Sequence, residues 1–320
     1  MYKTIYGPVP SRRLGISLGV DIIPHKICSF NCVYCECGRN TLLTTERKDF
    51  VPIELVISEI DDYLSKNPAP DYISISGSGE PTLHLRLGKL LSEIKNKFPN
   101  IKLALLTNSS LLNIKEIREE IYPVDLVLPS LDAATDEAFR KIDRPFVAIK
   151  LEEIIEGIAS LVKEMKSISK EKQIWLEVFI IENINTDEKN IEALKKALKY
   201  IKPDKVQLNT LDRPGTEDWV KAASIKTLEF IREQLNLPNV EIITKFKYRD
   251  EIKHYRIDIE NTIIETLRRR PLRLEDISEV LGISKEEIQK YIDILINEKK
   301  IVRKTMIIDG LYQVFYAYIS

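Results

Sequence analysis

Histidine and cysteine are scarce in this chain: 320 residues hold three His and four Cys. All four cysteines lie between Cys28 and Cys37. A cluster that tight cannot staple a chain of this length, which argues against a disulfide framework. At 44% hydrophobic residues the chain can build a sizeable core without one. No long uncharged apolar run occurs, so no membrane-spanning segment is expected. The start, Met-Tyr-Lys-Thr-Ile-Tyr-Gly-Pro, has no signal-peptide pattern. Free thiols then suit a reducing cytoplasm. Excess charge is also missing: 48 Lys and Arg face 49 Asp and Glu, a net charge of −1. Overall electrostatics therefore give no bias toward nucleic acid. The 30% charged residues, rich in Lys and Glu beside much Ile, fit a thermophilic composition.

What the chain does have is Cys28-Ser-Phe-Asn-Cys32-Val-Tyr34-Cys35, a C-x3-C-x2-C loop with an aromatic residue before its last cysteine. Three thiolates on one short loop can hold three irons of a [4Fe–4S] cubane, which binds through Cys sulfur. The fourth iron is then open to a ligand. Cys37 is expected as a small residue in that loop, and one spare cysteine cannot complete a second cluster. The alternative is a Cys3His zinc site using His25, since structural zinc takes four ligands.

Between residues 16 and 211, short β-branched runs alternate with helical patterns. Expected strands are 16–22, 72–76, 102–107, 126–130, 174–181 and 205–211. Expected helices are 53–66, 85–97, 115–122, 151–167, 188–200 and 218–235. Near-continuous apolar strands separated by helices read as parallel βα units, and six of them predict an incomplete (β/α)6 barrel. In such folds the site lies at the C-terminal ends of the strands. Those ends carry Gly77-Ser-Gly79-Glu80-Pro81, Thr107-Asn108-Ser109-Ser110 and Ser130-Leu131-Asp132. Ser, Asn and Asp there also serve as helix caps. Glu177 alternates with Trp175 and Phe179 on an apolar strand and so points to the lumen or needs a buried partner. Asn183, Asn185, Gln207 and Asn209 share that neighbourhood. Two loops repeat Asp-Arg-Pro, at Asp143-Arg144-Pro145 and Asp212-Arg213-Pro214. With Arg12 and Arg13 they supply four guanidinium forks for an anion, or for surface ion pairs.

Residues 246–256 read as a charged connector. Beyond it, helix (258–269), helix (274–281), turn, helix (285–298) and a hairpin at Asp309-Gly310 predict a winged helix. Ser284 and Glu287 fit a capping box for the third helix. Ten Lys and Arg against eleven Asp and Glu over 257–320 make it a weak phosphate neutraliser. Only Lys299-Lys300 and Arg303-Lys304 form a basic patch, so protein or peptide contact stands slightly ahead of nucleic acid. The division expected is 1–245 barrel, 246–256 connector and 257–320 winged-helix domain.

From the first residues to about 245 the chain resembles the radical S-adenosylmethionine (radical SAM) superfamily. The resemblance rests on the cysteine loop and on Gly77-Ser-Gly79-Glu80-Pro81, where Ser78 replaces the commoner second glycine. It implies a [4Fe–4S] cluster on Cys28, Cys32 and Cys35. It also implies SAM held by Tyr34, Gly77, Gly79, Glu80, Asn108, Ser130, Asp132 and Glu177. One-electron cleavage of SAM to methionine and a 5′-deoxyadenosyl radical follows, with a ferredoxin- or flavodoxin-like electron donor. The run Gly7-Pro-Val-Pro-Ser-Arg-Arg-Leu-Gly15 is similar to a group of iron–sulfur oxidoreductases loosely related to the tRNA wyosine-base synthases. The extra cysteines of those synthases are missing here, which puts their pyruvate chemistry in doubt. The substrate then expected is RNA or a nucleotide. Alternatives are a peptide or protein recognised by the winged helix, a small molecule, or no enzyme at all but an iron–sulfur DNA-binding redox regulator.

Overall fold

The computed structural model describes residues 2–11, 13–243 and 259–319. Arg12, the connector 246–256, the expected helix start Asp258 and the side chains of Glu286 and Glu287 lie outside the described residues.

The chain opens with β1 (Ile5–Ser11), β2 (Gly15–Val20), β3 (Ile27–Cys28), β4 (Leu42–Leu43), α1 (Ile53–Lys66) and β5 (Tyr72–Ile75). Next come α2 (Leu87–Lys97), β6 (Lys102–Thr107), α3 (Lys115–Ile121), β7 (Leu126–Pro129), α4 (Asp136–Ile142) and α5 (Leu151–Ile168). Then follow β8 (Gln173–Phe179), α6 (Glu188–Ile201), β9 (Lys205–Asn209), α7 (Ile225–Leu235) and β10 (Val240–Ile242). Eight strands form one sheet in the order β1-β2-β5-β6-β7-β8-β9-β10. β1 runs antiparallel to β2, and the rest pair in parallel. This is a partial (β/α) barrel, with all six expected strands in consecutive order.

Residue alternation explains its two faces. Leu18, Ile75, Leu105, Val127, Leu176 and Leu208 are almost fully buried in the main core. On the other face Leu14, Ala104, Leu126 and Leu128 form a separate small apolar cluster with Tyr72, Leu106 and Trp175. Further toward the strand ends that inner face turns polar. Ser130 bridges Glu177, and Glu177 pairs with Gln207. Glu177 therefore does share the inner face with Trp175.

Three elements differ from expectation. β1 contains Pro8 and Pro10, and proline cannot donate to a ladder, so the run reads as loop; it is an edge strand, where proline is tolerated. α4 is only seven residues long, started by the Thr135 side chain accepting from Ala138 N. α7 begins at Ile225 rather than 218 because Ser224 caps it, accepting from Thr227 N.

A C-terminal unit follows: α8 (Ile259–Arg269), α9 (Leu274–Leu281), α10 (Lys285–Asn297), β11 (Ile301–Ile308) and β12 (Leu311–Tyr318). Gly282 ends α9 in the left-handed region, and Asp309-Gly310 turns the hairpin with both φ positive. Its core is its own, built on Ile263, Leu267, Ile277, Ile288 and Leu295. α8 and α9 pack on β1, which covers an otherwise open sheet edge. Among the described residues no helix is long and apolar enough to cross a membrane.

Candidate functional site

The cysteine loop leaves β3 at the C-terminal rim of the sheet. Cys28, Cys32, Cys35 and Cys37 are all free thiols. Lys26, itself buried, donates from Nζ to Cys35 Sγ at 3.1 Å. Burial acts to lower the Lys26 pKa, but Cys35, Cys37 and Cys28 around it outweigh that and raise it. Asn108 Nδ2 donates to Cys28 Sγ at 3.5 Å, and Cys32 Sγ donates to Asp143 Oδ1 at 3.6 Å. Cys37 donates its thiol to the carbonyl of Arg269 at 2.9 Å, which ties it to the C-terminal unit. Burial pushes the Cys28 thiol up to about 12. Cys35 is pulled down to about 6 by the Cys37 thiol beside it, with Lys26 contributing against burial.

The next loop is pressed against this one. Ser78 carbonyl accepts from Lys26 N at 3.1 Å. A Cβ on Gly79 would sit 2.2 Å from the Ile27 carbonyl oxygen, and one on Gly77 would sit 2.2 Å from the Asp21 carboxyl carbon. Only glycine lets the backbone approach that closely. Glu80 is 2% exposed and turns its carboxylate inward. It accepts from Thr82 N (3.0 Å), Thr82 Oγ1 (2.6 Å), Thr107 Oγ1 (2.7 Å) and Asn108 N (2.7 Å). Glu80 thus joins the loop after β5 to the loop after β6. Burial raises its pKa, and those donors offset part of the rise.

Tyr34, Asn108, Ser130 and Asp132 come together around one small cavity of about 10 Å³. Tyr34 stacks on Phe179 with ring centroids 3.8 Å apart and donates its hydroxyl to Asp132. Asp132 also accepts from Phe179 N at 2.8 Å. Burial, then the Asp132 charge, push the Asp143 carboxyl well above the usual range, and burial raises Asp132 as well. Asn185 is buried and structural: its amide donates to the carbonyls of Asp132 and Phe179. Asn183 is exposed. Asn209 Oδ1 accepts from Thr210 N at 3.0 Å.

The arginines separate. Arg13 forms an ion pair with Glu177 on the inner face. Arg144 pairs with Glu217 at 2.6 Å, which Arg39 also reaches. Arg213 alone has no carboxylate closer than 3.7 Å among the described residues. Three positions lacked a sequence signal. Lys26 is one lysine beside His25, Asp143 is masked by its Arg-Pro neighbours, and Arg268-Arg269-Arg270 reads as an ordinary basic helix end.

The donor chemistry fits an iron–sulfur cluster. Three thiols share one loop, with N–H donors aimed at two of their sulfurs, as clusters use. Among the described residues no three His, Cys, Asp or Glu side chains converge on one metal ion. His25, the fourth ligand of the zinc alternative, is exposed.

The Radical SAM superfamily profile matches residues 22–176. UPF0026 protein MJ1312 of Methanocaldococcus jannaschii is 32% identical over 304 residues, covering 93% of this chain and 92% of that protein. A protein named GTPase Obg from Brachyspira hyodysenteriae is 38% identical over 227 residues, 71% of this chain but only 32% of that protein. The S-adenosyl-L-methionine-dependent tRNA 4-demethylwyosine synthase of Oryza sativa subsp. japonica is 22% identical over 67% of this chain and 33% of its own length. A radical SAM methyltransferase from Sphaerobacter thermophilus shares the fold at TM-score 0.54 and 18% identity, covering 71% of this chain and 65% of that one. The chain is an enzyme of the radical SAM superfamily and, within it, belongs to the UPF0026 family. Membership implies a [4Fe–4S] cluster and SAM as cofactors, and it displaces the regulator and zinc alternatives.

Proposed function

We propose that the enzyme cleaves SAM at a cluster on Cys28, Cys32 and Cys35 and takes hydrogen from RNA or a nucleotide held at the inner face of the barrel. The observation that carries the ligand assignment is the donor set around the C-x3-C-x2-C loop, with Lys26 Nζ on Cys35 and Asn108 Nδ2 on Cys28, while the Cys37 thiol reaches the Arg269 carbonyl at 2.9 Å. The chemistry supplied by the bound cofactors is one-electron cleavage of SAM to methionine and a 5′-deoxyadenosyl radical.

The chain's own residues do the rest. Lys26 places a cation beside Cys35, and Asn108 donates toward Cys28, so both stabilise thiolate charge. Glu80 fixes the loops after β5 and β6, which positions Asn108 and the backbone of Gly77–Gly79 for SAM. Tyr34 and Asp132 close the opposite side. Arg13 with Glu177 and the buried Gln207 offer polar contacts on the inner face.

The nucleotide reading is supported by the distant likeness to a tRNA-modifying enzyme. The C-terminal unit, read as a winged helix, is the docking module for the substrate, and a cytoplasmic setting suits the free thiols. The test is anaerobic incubation with SAM, reductant and either total RNA, nucleotides or a peptide library. RNA or nucleotides should raise 5′-deoxyadenosine several-fold over the background and yield a modified nucleoside by mass spectrometry. Stimulation by peptides alone would transfer the reading to a peptide-modifying enzyme.

A further inference from the structure

A cavity of about 120 Å³ lies between the inner face of the barrel and the C-terminal unit. Arg213, from the loop after β9, and Arg270, just after α8, both line it. The barrel side adds the hydroxyls of Tyr6, Ser17, Ser74 and Ser76. These form two short pairs, Ser17 with Ser74 at 2.7 Å and Tyr6 with Ser76 at 2.8 Å. Each pair can turn a proton toward a guest.

The two guanidiniums are unusual in what they lack. The Arg213 side chain is only 12% exposed, and its Nε has no hydrogen-bond partner among the described residues. Its carboxylates stand at 3.7 Å (Glu36), 3.8 Å (Asp276) and 4.0 Å (Asp212), outside hydrogen-bond range. Asp276 is already held by Arg273, at 2.7 Å from Nη2 and 3.1 Å from Nε. Arg270 makes no ion pair within 4 Å among the described residues. Burial and then Arg213 itself push its pKa below the ordinary value. The fold thus brings two guanidiniums together at the seam, with no carboxylate in hydrogen-bond range of Arg213 and none within 4 Å of Arg270 among the described residues, although Asp212, Asp276 and Glu279 also line the cavity. Such an arrangement is costly unless an anion joins it. A carboxylate satisfies one fork edge-on, while a tetrahedral phosphate presents oxygens to forks arriving from two directions.

We propose that this cavity binds a phosphate group of the substrate, gripped by Arg213 from the barrel and Arg270 from the C-terminal unit. The proposal deepens the nucleotide reading and rests on it. The phosphate would anchor the substrate at the seam between the two units, leaving its other end to reach the inner face.

The test is isothermal titration of the full chain, without reconstitution, with inorganic phosphate and separately with acetate. One saturable phosphate site is expected, weakened at least tenfold in Arg213→Gln and in Arg270→Gln, with acetate failing to compete at equal concentration. Absence of saturable binding, binding unchanged in both variants, or equal competition by acetate would overturn it. If Arg270→Gln melts early, Arg270→Lys carries the test. It keeps the charge and loses the fork, so intermediate affinity is expected, and wild-type affinity would count against the proposal. Phosphate binding needs no cluster, whereas SAM cleavage does, so either reading can fail while the other stands.

Discussion

Glu80 shows how far a single residue could be read from sequence. By the resemblance, its place after the second parallel strand makes it an expected part of the SAM region, but position in a strand-end loop does not say which way a carboxylate turns. The structure turns it inward, onto Thr82, Thr107 and the Asn108 amide. Two threonines at that spacing look like ordinary strand ends in sequence, so their joint role was not legible. The consequence is testable. In Glu80→Gln an amide NH2 replaces one acceptor and faces an N–H or O–H donor. Leaving buried donors unmet costs about 1–3 kcal/mol. Chemical denaturation should show that loss, and SAM affinity should fall with iron content intact. A variant of unchanged stability would contradict the positioning role. The cysteines were legible because their spacing is itself the chemistry, whereas Lys26 was not, since a lone lysine carries no pattern.

At the scale of elements, long apolar runs gave away the parallel strands because both faces of a covered sheet must be buried. β1 was hidden by its prolines and α4 by its shortness. The helices and hairpin of the C-terminal unit were marked by Gly282 and Asp309-Gly310. Helix α9 carries a further consequence. Glu279 faces the seam with Oε1 lacking a hydrogen-bond partner among the described residues, and burial raises its pKa from 4.5 to about 7. Between those values the folded chain holds a proton that the unfolded chain has lost. Stability therefore falls as pH rises through that window, and the contribution is complete only below it. Wild-type protein should lose melting temperature relative to Glu279→Gln between pH 5 and pH 8. Parallel curves for the two proteins would show that Glu279 is not buried in solution.

The whole molecule places the cysteine loop, the glycine loop and the polar rim at one end of an open barrel, with a second unit along the edge strand β1. That unit touches the cysteine loop through Cys37 and Arg269, and Arg269 reaches Asp21 at 3.6 Å while lying over the Tyr6 ring at 4.3 Å. These long-range contacts were invisible in sequence, where Cys37 and Arg269 are 232 residues apart. They tie Cys37 to the seam, and the proposal that Cys28, Cys32 and Cys35 alone hold the iron is the central claim. It is tested by anaerobic reconstitution with iron and sulfide, followed by SAM and dithionite and mass-spectrometric assay of 5′-deoxyadenosine. Wild type and Cys37→Ala should both hold about four irons and form 5′-deoxyadenosine, while Cys28→Ala, Cys32→Ala and Cys35→Ala should each lose both. Loss of iron in Cys37→Ala, or retained cleavage in any of the other three, would contradict the account.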